Sequence, residues 1–317
     1  MAIELPIELH RLVFEICGWS EPHTLPTLVL VSSTVRTWTN PILYSVITLW
    51  EQRTADLFVN TLESPTSAHH ASLVRNLCLT KAVGHRRALR ILTLCPNLDH
   101  LACWISHPDL YPVLAAHRPQ TLSVSFAPLF RDAKRARPDF GGALFERATH
   151  VEFKDDPQTW ANWTGFLHAP RLTHLAFSCH LSASTVSAAA RAIRGILESC
   201  TSLRVCLVLA PSRSHWRQVL DVEDPRVVHL NAPKDLITDW ENSVRGYRNI
   251  WTLAEEVVAR RTCKEVDVRS TNSSTAKFQC TKARRQTRYV PLASAVYYCY
   301  NTHIAVTDDA ISDRMTV

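Results

Sequence analysis

Four histidines recur in one setting, each followed by an apolar residue: Asp99-His100-Leu101, Thr149-His150-Val151, Thr173-His174-Leu175 and Val228-His229-Leu230. Imidazoles on neighbouring strands would lie about 4.8 Å apart. Such a stack could ligate a metal or resist joint protonation. A flat polar side chain on an exposed strand explains the same pattern, and no metal site is expected. Other chemistry is sparse. The seven glycines are scattered, with Gly141-Gly142 the one adjacent pair, so no loop is shaped to cradle phosphate. There is no G-x-S-x-G, H-E-x-x-H or kinase signature. No catalytic residue, cofactor or enzymatic activity is expected.

The elements that would carry the histidines form a repeat. An apolar-x-x-apolar-x-apolar unit recurs as Val74/Leu77/Leu79, Leu98/Leu101/Cys103, Thr121/Val124/Phe126, Ala148/Val151/Phe153, Leu172/Leu175/Phe177, Leu203/Cys206/Val208 and Val227/Leu230/Ala232. The middle positions are spaced 23 to 31 residues apart. A period in the twenties is that of a leucine-rich-repeat solenoid, in which each unit stacks on its neighbours. Helices are expected between units, most clearly over Ser184–Leu197, where Val186, Ala189, Ala190, Ile193 and Leu197 form one stripe. Shorter ones are expected over Arg86–Leu94 and Thr159–Leu167, with 3₁₀ or loop segments replacing others. Trp240, Val244, Tyr247, Trp251, Ala254 and Val258 predict a single amphipathic helix over 238–260 that caps the open end of the array.

The phase of the units sets two outward columns on the concave side. The first is Asn76, His100, Ser123, His150, His174, Val205 and His229. The second is Cys78, Ala102, Ser125, Glu152, Ala176, Leu207 and Asn231. His100, His150, Glu152 and His174 from these columns, with Trp104 and Lys154 at strand ends, are expected to contact a protein target, because exposed aromatic and charged groups on a rigid face make good anchors.

The first fifty residues differ in kind. Pro6 suits the first turn of a helix. Leu5, Leu9, Leu12, Val13 and Ile16 then recur at helical spacing, and Gly18 can end the element. Pro22 opens a second short helix with Leu25, Leu28, Val29 and Ser32, and Asn40-Pro41 marks a turn. A core of that size is small, so several apolar groups should seek a partner surface or cap the domain that follows.

The order Leu5-Pro6, Glu8-Leu9, Val13-Phe14, Leu28 to Val31-Ser32, Trp38 and Pro41 to Tyr44 resembles the F-box throughout residues 3–49. The ending through Leu49 is similar to the form found in mushroom-type fungi. Where that family often has an aromatic-Leu pair, this chain has Cys17-Gly18-Trp19. The resemblance implies docking on the Skp-type adaptor of a cullin ubiquitin ligase, with Leu5, Pro6, Leu9, Ile16, Leu28, Val31 and Trp38 carrying or supporting the contact. It implies a substrate receptor that holds an unknown protein target. A scaffold without a ligase role is the alternative.

Length agrees with two domains or one elongated one, and the pattern along the chain gives an α/β reading in three parts: a helical module over 3–49, an irregular solenoid over 51–260, and a poorly ordered basic tail over 262–317. The tail carries five basic and no acidic residues between Lys277 and Arg288. A nucleic-acid role through that cluster is a third reading, although the overall charge of +6 is too diffuse for one in the main body. No apolar run reaches the roughly 18 residues of a membrane span, and the amphipathic N-terminus does not read as a secretory signal. Cytoplasm or nucleus is therefore expected, with the ten cysteines free and mostly packed, Cys78, Cys95, Cys103, Cys179 and Cys206 among them.

Overall fold

A computed structural model describes residues 5–129, 139–155, 165–178, 183–210 and 222–270. Most of the helix expected over Thr159–Leu167, Cys179, and the tail from 271 onward with its basic cluster lie outside the described residues.

The chain is mixed α/β, built on one parallel eight-stranded sheet. Three helices come first: α1 (Ile7–Ser20), α2 (Leu25–Leu28) and α3 (Ser33–Ser45). They lead into β1 (Val46–Leu49), α4 (Gln52–Glu63), β2 (Asn76–Leu79), α5 (His85–Leu94), β3 (His100–Cys103), α6 (Tyr111–His117) and β4 (Thr121–Val124). Then follow β5 (His150–Phe153), β6 (His174–Ser178), α7 (Ala183–Ser199), β7 (Val205–Ala210) and β8 (Val227–Asn231). Helices α8 (Leu236–Val244) and α9 (Ile250–Ser270) close the described chain. Each strand pairs with the next in sequence, giving the order β1 to β8 without interruption. Short 3₁₀ turns at Ala127–Leu129, Ala143–Phe145 and Phe166–His168 stand where longer return helices could have been.

Alternation along the strands divides the sheet into two faces. On the first, Ile47, Leu77, Leu101, Leu122, Val151, Leu175 and Cys206 form one apolar row, and Leu49, Leu79, Cys103, Val124, Phe153, Phe177 and Val208 form the next. Helices α4, α5 and α7 lay Phe58, Ile91 and Ile193 onto these rows to make the main core. Phe126 sits at the centre of an aromatic group with Phe140, Phe145 and Phe153, ring centroids 5.4–5.9 Å apart.

Several expectations are corrected. The register puts Leu122, not Val124, level with Leu101 and Val151. Residues 121–126 alternate at 122, 124 and 126, so a slip of two keeps every side chain on its face and the pattern alone cannot detect it. Val227, not Leu230, lies level with Cys206. Asp224 fixes that entry: its carboxylate accepts from the backbone and guanidinium of Arg226, and Arg226 O accepts from Cys206 N. This odd shift moves His229 into the row of Val208, out of the histidine column. An eighth strand, β1, occupies the end of the segment read as the N-terminal module.

Three helix boundaries also differ. Gly18 lies inside α1, where a Cβ would sit 2.6 Å from Leu25 Cδ2, so its role is close approach to α2. Helix α3 continues through Pro41. The carbonyl that loses its partner belongs to exposed Thr37 and is open to water, while Ile42 beyond the proline packs inward. The helix expected over 238–260 is two helices. Gly246 breaks it at φ +74°, and Asn249 caps α9 by accepting from the backbone of Trp251 and Thr252. Helix α9 also runs on through 262–270, which had been assigned to the tail.

Candidate functional site

Two surfaces concentrate the groups that could act. The first is on α1 to α3. Ser32 starts α3 by accepting from Val35 N at 3.1 Å, and Val35, Thr39 and Ile42 turn inward. Leu25 and Gly18 complete a small core. Around this core many apolar groups stay open: Leu5, Ile7, Leu9, Leu12, Val13, Ile16, Trp19, Leu30 and Val31 are all exposed, Val13 at 59 % and Val31 at 58 %. Of the seven expected docking residues, Leu5, Pro6, Leu9, Ile16 and Val31 are exposed on this module. Leu28 and Trp38 are half-buried, with the Trp38 ring 6.4 Å from Phe14. The largest exposed apolar groups of the described chain thus fall almost entirely within residues 5–31. Isolated apolar residues are common on surfaces; a contiguous set is the signature of an interface.

The second surface is the sheet face opposite the main core, and here the expectation fails. The face is covered. Trp240 of α8 packs with Val46, Cys78, Ala102 and Trp104. Ile250, Trp251 and Ala254 of α9 pack with Ala176, Val205, Leu207, Leu209 and Val228. The helices read as an end cap therefore lie across the sheet. Trp104, Glu152 and His174 are buried and the Lys154 side chain is 9 % exposed, so these residues cannot contact a target while α8 and α9 are in place. His100 and His150 are half-buried on the same face.

Beneath the helices is a polar cluster. Lys154 Nζ donates to Glu152 Oε1 at 2.5 Å. Ser123 and Ser178 each donate to the same carboxylate at 2.7 Å, and Trp104 Nε1 donates to Ser123 Oγ at 2.9 Å. Burial pushes the Glu152 carboxyl up, but Lys154 and the two hydroxyls outweigh it and hold the group below its usual range. Across a cavity of about 20 Å³ lies Asp239 of α8, raised to about 7 by burial and by the nearby Glu152 charge. Glu241 accepts from Thr48 Oγ1 at 2.7 Å, and burial raises it too.

The histidine column is stacked, as its spacing allowed. His150 and His174 lie parallel with centroids 4.1 Å apart, and Trp251 meets both edge-on. Their Nδ1 atoms bond the hydroxyls of Thr149 and Thr173. His174 Nε2 lies 3.1 Å from Glu255 Oε1; a carboxylate accepts only, so Nε2 carries the proton. Burial lowers both histidines to about 4; like charge between them adds to this for His150, as the nearby Arg204 charge does for His174. Among the described residues no group of three or more His, Cys, Asp or Glu is arranged to hold a metal, and no helix is long and apolar enough to cross a membrane. Burial raises the thiols of Cys95 and Cys206 to about 12, so neither offers a thiolate.

The sequence reading missed Asp239, Glu241, Trp251 and Glu255 as partners of this face. It had found the stripe that carries Trp240 and Trp251; a stripe shows that a helix packs, not on which surface. Compared with known proteins, the chain matches no family model, no curated protein and no solved structure.

Proposed function

We propose that this chain is a substrate receptor of a cullin-type ubiquitin ligase. On this reading residues 3–49 are an F-box-like module docking on a Skp-type adaptor, and the strand-and-helix array behind it is an irregular leucine-rich solenoid that holds a protein target. The chain does no bond chemistry; it raises the local concentration of target lysines beside the ligase. The observation that carries the reading is the open apolar set on α1 and the α2–α3 connection, joined to the resemblance over the same residues. The strand order supports the second half, since each strand adjoins the next in sequence as stacked repeats require.

The test is capture of a Skp-type adaptor by the full chain and by a Leu9→Asp/Val13→Asp variant. Both positions are exposed, so the fold should persist and circular dichroism should be unchanged. Capture by the parent, reduced at least tenfold in the variant, is expected. No capture by the folded parent would remove the ligase role and leave an interaction scaffold.

A further inference from the structure

We propose that the covered face of the sheet is a binding site for an acidic helical segment of another protein, and that α8 and α9 are its resident occupant in cis. The inference rests on the receptor reading above, and it relocates the target site to beneath a displaceable strap.

Three observations support it. The strap is separable: no residue of α8 or α9 enters the main core, and their buried side chains join two small clusters on the far face. Local opening there would leave the main core intact. The fit is incomplete. The indole N–H of Trp240, Nη1 of Arg245 just after the same helix, and His100 Nδ1 on the sheet are buried without a hydrogen-bond partner among the described residues. Each such group costs stability that a better-matched occupant would recover. The face is also polar where a permanently closed seam would favour apolar groups, with Ser123, Glu152 and Lys154 lining the cavity and Ser178 bonded to Glu152.

Hydrogen bonding defines the partner. Two strap carboxylates find donors on the sheet, Glu241 at Thr48 and Glu255 at His174. A third carboxylate, Asp239, accepts from Ile250 N within the strap and faces a Lys154 already committed to Glu152. A preferred ligand therefore has bulky aromatic anchors in place of Trp240 and Trp251, acids in place of Glu241 and Glu255, and a neutral residue in place of Asp239.

The experiment uses the full chain and, as probe, a fluorescent peptide of its own residues 235–258 carrying Asp239→Asn. The strap is loosened by Trp240→Ala with Gly246→Val. Probe binding at least tenfold tighter to the loosened chain than to the parent is expected, with strand amides still protected in hydrogen exchange. Adding Ala176→Arg, which blocks the face, should abolish that binding. Equal weak binding to both chains, with α8 and α9 exchanging freely in the variant, would overturn the inference. So would loss of strand protection together with the strap, in either the double variant or Trp240→Ala alone. A dimer formed by strap exchange would assign the face to a second copy instead. Adaptor capture is read from the parent and the Leu9→Asp/Val13→Asp chain, whose substitutions lie outside the covered face, so the two readings fail independently.

Discussion

Lys154 is the side chain on which the covered face depends most. It neutralises Glu152 inside a nearly closed seam and lies 5.3 Å from the Trp104 ring centroid. Removing one partner of a buried pair strands the other charge, at a cost of about 3–5 kcal/mol. Lys154→Met should therefore lower stability by that order in denaturant titration. Lys154→Met with Glu152→Gln should recover most of the loss, because the pair contributes far less than its disruption costs. Asp239 presents the opposite case. Its folded value of about 7 lies above the usual 3.8. The stability linked to its proton is fully present below 3.8 and is lost as pH rises through 7. Asp239→Asn keeps an acceptor for Ile250 N and removes that loss. Its advantage should grow between pH 4 and 7 by at most about 1.4 kcal/mol per unit and then level off. Neither residue's role was legible in sequence. Lys154 and Glu152 were found through repeat phase, but their burial depends on a segment eighty residues further on, which no local pattern connects to them.

The strap is two helices because its sequence says so twice. Asp235 caps α8 by accepting from the backbone of Ile237 and Thr238, and Asn249 does the same for α9. Between them Gly246 adopts φ +74° with nothing within 4 Å of a Cβ placed there. A substitution would meet only backbone strain. Gly246→Val should cost about 1–2 kcal/mol, and Gly246→Asn less, as thermal unfolding would show. Those stop and start signals were present in the sequence, but the unbroken apolar stripe outweighed them in the reading. The strap's pH response follows from the groups on both sides of the seam. His150 and His174, at about 4 against an ordinary 6.5, favour the closed strap above 6.5 and lose that contribution as pH falls toward 4. Asp239 and Glu241, both raised, oppose this by binding protons in the closed state. Arg204 and Glu255 bear on the histidines from either side. The parent should therefore lose strap protection only gently on acidification. Asp239→Asn should lose it more steeply between pH 6.5 and 4, as amide exchange in α8 and α9 would reveal.

Across the whole chain, the arrangement of strands was readable and the arrangement of surfaces was not. The repeat period followed from apolar spacing, because each strand must present alternate side chains to one shared core. Where the alternation was ambiguous, at 121–126 and 227–231, so was the register. The N-terminal helices and the strap are also linked. Tyr247 Oη donates to Trp19 O at 3.0 Å, and α8 reaches β1 through Glu241.

Those two hydrogen bonds join residues 228 and 193 positions apart, whereas every strand pairs with its immediate successor. The order of synthesis is thereby written into the molecule. At about 5–20 residues per second, strand after strand can be added as the chain leaves the ribosome. The strap emerges last, and the growing sheet has by then fixed the positions of the groups it must reach, so little loop entropy remains to be lost. A face that is hidden in the finished protein is bare in every nascent copy until residues 236–270 have been made.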